Sequence, residues 1–310
     1  MPGYRYVSHI DIQFQRFLVT IAILNIFGCW RPEASTGEVL PGHFKVEVPF
    51  MLDKRGIIVN TYWGKQRTHH VLCLDNLSPS WVDTSVSNHD HSLVRSSNLK
   101  FETLTADGTR VHGDVEYCDS LFFEGVEFRA VPFYVMPNNF GHLNSDDGVF
   151  GGDLMSRGIW EIDFRRRILT FTSELDSLRD IANSEILPAV FNKDNIKIDV
   201  ELGKGVVKTA AIDLGYHGDI ILPMEDFLAI RTANKKFSRP SEFMTPASAS
   251  VVNDLYFFDT IKLNNNWFHV MVSSNEKVKE RLVGVEFFDR FDFVVFDFKN
   301  SKIHISKKVW

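Results

Sequence analysis

Val71-Leu72-Cys73-Leu74-Asp75 and Ala210-Ala211-Ile212-Asp213 are two short apolar runs that each end in an aspartate. They belong to a longer pattern. Upstream, Pro49, Lys54, Ile57, Val59, Gly64 and Lys65 keep the same offsets as Pro188, Lys193, Ile196, Ile198, Gly203 and Lys204, with no gap over 17 positions. Asp75 lies 26 residues past its proline and Asp213 lies 25 past its own. Downstream, each half has two apolar residues and a glycine, Val149-Phe150-Gly151 and Leu282-Val283-Gly284. An acid follows two residues on (Asp153, Glu286), and then an Asp-Phe pair, Asp163-Phe164 and Asp297-Phe298. Features that recur in one order at matched spacing indicate an internal duplication. Each half then places one carboxylate at the end of a strand.

The rest of the chain reads as strands. Apolar and polar residues alternate over 46–50, 57–63, 111–117, 126–135 and 159–171, and Gly, Asn and Asp clusters separate the segments. Two stretches favour helix, 176–184 and 223–233, the second with Pro223 in the first turn. Arg165-Arg166-Arg167 reads as a charged hairpin turn. With 310 residues, 44% hydrophobic and 24% charged, the composition is that of a globular chain of about two domains and excludes collagen, coiled coil and disorder. The 27 phenylalanines are core and strand-edge material. Net charge is −6 with no basic stripe, so no nucleic-acid partner is expected.

The N-terminus reads as an address. Arg5 and Arg16 precede an apolar run over 17–27 that is too short to span a bilayer comfortably. It closes in Ile26-Phe27-Gly28-Cys29, which resembles a relaxed bacterial lipoprotein box, with Cys29 as the lipid anchor. The alternative is a buried apolar helix. The expected division is a lipoprotein-type signal peptide at 1–28, a linker at 29–43, a first lobe at 44–172, an interlobe connection at 173–186 and a second lobe at 187–310. The location implied is the bacterial cell envelope, on the periplasmic face or the cell surface. Cys73 and Cys118 either pair in an oxidising compartment or stay as buried free thiols.

Two carboxylates brought together across a pseudo-twofold axis cannot both ionise, so one serves as acid while the other serves as base. Asp75-Asn76-Leu77 and Asp213-Leu214-Gly215 stand where the aspartic-peptidase superfamily (pepsin-like and retropepsin-like) has Asp-Thr/Ser-Gly, and the segments ending in Gly151 and Gly284 stand where it has its hydrophobic-hydrophobic-Gly threads. Over residues 44–307 the chain resembles a bilobed member of that superfamily. The resemblance implies a mainly β fold: two pseudo-twofold-related, β-barrel-like lobes with an interlobe cleft. It implies Asp75 and Asp213 as the catalytic pair, supported by the loops of Asn76, Leu77, Leu214, Gly215, Gly151 and Gly284. No cofactor or metal is implied. The partner is a peptide or protein, and with both halves in one chain a monomer suffices. A flap hairpin in the first lobe is expected to turn at Thr105-Ala106-Asp107-Gly108.

The triplets depart from the family pattern. Leu77 replaces a glycine and puts a side chain where close backbone approach is expected. Leu214 replaces a hydroxyl residue, and Ser78-Pro79 and Tyr216-His217 replace small neighbours. If the acids are merely poorly supported, Leu77→Gly with Leu214→Thr should raise peptide hydrolysis. Asp83-Thr84-Ser85 is a rival first triplet, at the cost of the repeat spacing. His69-His70 and His89-Asp90-His91 read as solvated loops rather than a zinc site, since adjacent histidines on a strand face opposite ways. Asn144-Ser145-Asp146-Asp147-Gly148 reads as a turn. The functional expectation is an aspartic-type endopeptidase; the alternative is an inactive descendant that binds a peptide or envelope partner in the same cleft. A structural lipoprotein without a ligand is the third reading.

Overall fold

The computed structural model describes residues 38–53, 56–104, 109–136, 147–178, 181–192, 195–202, 205–230, 236–245, 248–264 and 266–306. The signal peptide, Cys29, the linker up to residue 37, the flap turn at 105–108, residues 144–146 and Lys204 lie outside the described residues.

The acid-bearing strands are built alike. Gly56–Trp63 and Thr68–Asp75 form an antiparallel hairpin. Gly148–Gly151 then lies parallel to Thr68–Asp75, which sets Gly151 opposite Asp75. In the second half, Asn195–Leu202 and Val206–Asp213 form the hairpin, and Leu282–Gly284 runs parallel with Gly284 opposite Asp213. The correspondence continues outward. Trp81–Asp83 is antiparallel to Gly148–Gly151 and parallel to Val126–Met136. Ile220–Ile221 is antiparallel to Leu282–Gly284 and parallel to Asn266–Ser274. The molecule is thus mainly β, with two lobes of the same topology, a fold of the aspartic-peptidase type.

A third, six-stranded sheet joins the lobes. At its centre Ile159–Asp163 pairs antiparallel with Phe293–Asp297, with Ile159 opposite Asp297 and Asp163 opposite Phe293. The strands that carry the two Asp-Phe repeats therefore pair across the pseudo-twofold axis, with the repeats themselves at opposite ends of the pair. Their aspartates also hold turns: Asp163 Oδ1 accepts the Arg166 N–H at 2.6 Å and Asp297 Oδ1 accepts the Asn300 N–H at 3.0 Å. The Arg165-Arg166-Arg167 turn lies between Ile159–Asp163 and Ile168–Thr172.

Phenylalanine fills both lobes. In the first, Trp160 stacks on Phe171 at 4.3 Å and Phe171 on Phe128 at 5.6 Å between ring centroids, with Phe123 and Phe150 edging in. In the second, Phe287, Phe288 and Phe291 pack with Phe268. Such ring pairs add about 1 kcal/mol each beyond the area they bury.

Two helix expectations are corrected. The described residues of 176–184 form no α-helix; Leu175–Ser177 and Ile181–Asn183 are single 3-10 turns. Serine hydroxyls donate to nearby carbonyls here (Ser177 to Glu174, Ser184 to Ile181), and that local bonding competes with helix extension. The second helix is shorter than expected, Met224–Ala229, with Pro223 at its N-cap.

The first lobe carries a long hairpin, Leu93–Leu104 with Arg110–Phe123, whose last pair is Leu104 with Arg110. The second lobe has an equivalent that the sequence reading missed, Phe237–Thr245 with Ser248–Leu263. Their arms are 12 and 14 residues against 9 and 16.

The parallel threads depend on glycine for space, not for an unusual φ. A Cβ on Gly151 would lie 2.3 Å from the Pro79 carbonyl carbon, and one on Gly284 would lie 2.4 Å from the Gly218 and Tyr216 oxygens. All of these are backbone atoms, which cannot rotate away. Gly151→Ala and Gly284→Ala are therefore each expected to destabilise the fold by about 3 kcal/mol, read as a lower urea midpoint, whereas Gly125→Ala, whose Cβ meets nothing within 4 Å, should cost only the strain of its positive φ.

Candidate functional site

Asp75 and Asp213 end their strands half-buried, and the chain turns sharply after each. The turn aims backbone donors at the carboxylate. Asp75 Oδ1 accepts N–H bonds from Leu77 at 2.9 Å and Ser78 at 3.2 Å. Asp213 Oδ1 accepts from Gly215 at 2.9 Å and Tyr216 at 3.0 Å. The two carboxyl groups hydrogen-bond to each other across the axis. Burial and the Asp75 charge push Asp213 well above the usual carboxylate range, against the pull of the Gly215 and Tyr216 amides. The pair thus keeps a proton where an isolated aspartate has lost it.

The loops are locked to each other mainly by Asn76. Its Nδ2 donates to the Ile212 carbonyl at 2.9 Å, and its Oδ1 accepts the Leu214 N–H at 3.0 Å. One amide thereby satisfies two buried backbone groups of the opposite lobe, on either side of Asp213. Leu214 offers no polar side-chain atom in return and is fully buried in the core. Gly215 approaches the other way: a Cβ there would lie 2.7 Å from Asp75 Cγ and Oδ2, so only glycine seats against that carboxyl.

Leu77 does not do the damage expected of it. Its backbone is outside the left-handed region, and its N–H reaches Asp75 at the same 2.9 Å as Gly215 reaches Asp213. Its side chain turns to the second lobe and packs on Ala211, Ile221, Val278 and Leu282 beside Tyr216.

The acids two residues past the glycines tie the loops down. Asp153 Oδ1 accepts from the Ser80 N–H and hydroxyl at 2.7 and 2.8 Å, and Gly151 N–H donates to Ser80 Oγ at 3.0 Å. In the second lobe Glu286 pairs with His217 at 3.2 Å. Tyr216, its phenol raised by burial, shares a hydrogen bond with Ser273 Oγ at 3.0 Å. The rival triplet has another role: Asp83 caps the helix Thr84–His89 through the Ser85 N–H. Among the described residues no His, Cys, Asp or Glu group is arranged to hold a metal. Neither Cys73 nor Cys118 is joined in a disulfide, and burial pushes the Cys118 thiol up to about 12.

The reading of the histidines as solvated loop residues fails for His70. His69 does face outward, to Asn60, while the pleat turns His70 inward. It stacks on Trp63 at 3.9 Å and lies between two carboxylates, Asp90 Oδ2 at 2.5 Å from Nε2 and Asp147 Oδ2 at 3.0 Å from Nδ1. Burial opposes its charge, but Asp147 and Asp90 outweigh that and raise its pKa. Burial likewise works to raise Asp90 and Asp147. Bonds from Ser92 and His70 lower the first, and bonds from His70 and the Val71 N–H lower the second. The trio pins the acid-bearing strand to the start of the Gly148–Gly151 thread and the end of the helix Thr84–His89.

No family model matches the sequence, and no curated protein is similar to it by sequence. Solved structures do match in fold. The crystal structure of an aspartic proteinase from Irpex lacteus aligns over 85% of this chain and 97% of its own, with a TM-score of 0.54 at 13% identity.

Two outcomes follow from these contacts. Asn76→Ala strands the Ile212 carbonyl and the Leu214 N–H and should cost about 3 kcal/mol in urea unfolding, while Asn76→Thr, whose hydroxyl can both donate and accept, should recover much of it. The His70 trio contributes fully only between about pH 4 and 6.5. The raised His70 loses its contribution as pH climbs through its folded pKa, and the lowered Asp90 and Asp147 lose theirs as pH falls through their own. His70→Ala, leaving two facing carboxylates, should cost about 3 kcal/mol near pH 5.5 and less at pH 9, checked by denaturation at both.

Proposed function

We propose that this chain is an aspartic-type endopeptidase whose Asp75 and Asp213 act together on a peptide bond. One observation carries the reading: two half-buried carboxyls from opposite lobes, each fixed by two backbone N–H groups, are hydrogen-bonded to each other, with Asp213 raised by burial and by the Asp75 charge. In that state the ionised carboxyl removes a proton from water as the water oxygen attacks the peptide carbonyl carbon. The protonated carboxyl gives its proton to the carbonyl oxygen. Collapse of the tetrahedral intermediate then breaks the C–N bond, and the amine leaves with a proton returned through the pair. The fold-level likeness to an aspartic proteinase supports this reading. We further propose that Cys29 carries a lipid and holds the protein on a cell-envelope surface, with the 29–43 segment as tether.

A second reading has its own observation. The reciprocal hydroxyl grip is absent on the Leu214 side, which suits a binding protein that holds a peptide without cutting it.

The protein truncated after Cys29 is expected to cleave members of a diverse peptide library, read by mass spectrometry from pH 3 to 8. The active form holds one shared proton, so the rate should fall when pH rises through the raised pKa and both acids ionise. It should fall again in strong acid, when both are protonated. Asp75→Asn and Asp213→Asn should each abolish cleavage. A folded protein that binds peptides and cuts none at any pH selects the second reading.

A further inference from the structure

We propose that Leu77 is a positioning residue that holds the first acid's loop on the second lobe and so sets the spacing of the two carboxyls. The inference rests on the peptidase reading for its catalytic consequence, though its geometric content stands on contacts alone.

The argument starts from an imbalance. Both turns after the acids must be held against the opposite lobe if the carboxyls are to stay in contact. From the first lobe, two consecutive side chains cross over. Asn76 clamps the backbone on either side of Asp213. Leu77, the next residue, seats its isobutyl group on Ala211, Ile221, Val278 and Leu282, all from the second lobe. From the second lobe the return contact at these two positions is not a polar side chain: Leu214 is buried in the core without a polar atom, and Gly215 brings its backbone close to the Asp75 carboxyl. The side-chain hydrogen-bond clamp is therefore one-sided, and Leu77 adds an apolar contact beside it.

The seat is placed to matter. Ala211 is two residues before Asp213 on the same strand, and Leu282 and Ile221 come from the two strands stacked beside it. The N–H of Leu77 is itself one of the two donors to Asp75 Oδ1. Anchoring the Leu77 side chain thus fixes a donor to one acid against the strand that carries the other. A glycine at 77 removes the anchor and adds backbone freedom at the same point. The proposal thereby runs against the expectation that Leu77→Gly, made together with Leu214→Thr, raises hydrolysis.

The test compares the unaltered chain with Leu77→Gly and the volume-conserving Leu77→Met, each first shown to be folded by circular dichroism and unfolding midpoint. Two readouts are taken. The first is peptide cleavage against pH. The second is the titration of the two carboxyls by carbon NMR of labelled aspartate, which needs no turnover. Leu77→Gly is expected to lower kcat 10- to 100-fold with little change in KM, and to draw the two apparent pKa values of the pair together by at least one unit. Leu77→Met should behave like the unaltered chain in both. A folded Leu77→Gly protein with unchanged pair titration overturns the inference, whatever its activity, as does one with equal or higher kcat. If the unaltered chain cleaves nothing, the peptidase reading fails separately, and the titration still decides the role of Leu77.

Discussion

Bringing two carboxyl groups into contact in a half-buried place is unfavourable, and most of the architecture can be understood as what enforces it. Like charges at that distance repel strongly once water is thinned out. The contact survives because one proton is retained between them and because neither loop can retreat. Four backbone N–H groups, two per acid, point at the pair. The central sheet sets the lobes about an axis, so that the two strand ends arrive together. The two glycine-ended threads let the turns lie flat on the strand behind them.

The duplicated halves do not share this task equally. Topology repeats strand for strand, yet the side chains at the axis have diverged. The first lobe supplies both interlobe anchors and the His70 trio that braces its strand. The second supplies a buried leucine, an approach without a side chain, and a tyrosine hydrogen-bonded to Ser273. A symmetric pair of hydroxyls is one way to lock such loops. Here an amide with a donor and an acceptor does the polar work of both from a single side, and apolar packing does the rest. An asymmetric lock also makes the two acids chemically unequal, since their surroundings differ.

Much of this was legible in the sequence, for a definite reason. A duplication leaves fixed offsets, and the offsets named both acids, both threading glycines and both Asp-Phe pairs before any pairing was known. The strands around them followed from alternation. What escaped were features with no local signature. His70 stands beside another histidine in a polar run, and its partners are 20 and 77 residues away; only the pleat and the packing of Trp63 bring them together. The cost assigned to Leu77 rested on a side chain standing where the backbone is expected to approach closely. Sequence cannot show that an apolar seat waits on the other lobe. The second long hairpin was missed because 237–263 lacks the clean Asp-Gly turn that marked the first. The helix expected at 176–184 gave way to serine and threonine side chains that bond their own backbone.

The shared sheet has a consequence for how the molecule comes into being. Ile159–Asp163 has one flank covered by Ile168–Thr172, which is made soon afterwards, and the other by Phe293–Asp297, which is made more than a hundred residues later. Ser184–Leu187 likewise waits for Lys302–Ser306, nearly the last strand of the chain. During synthesis from the N-terminus the first lobe therefore emerges with an open sheet edge, and only the final strands cover it. Until they do, Asp75 has no partner acid held in place. The two carboxyls are thus brought together in one late step of the chain's synthesis.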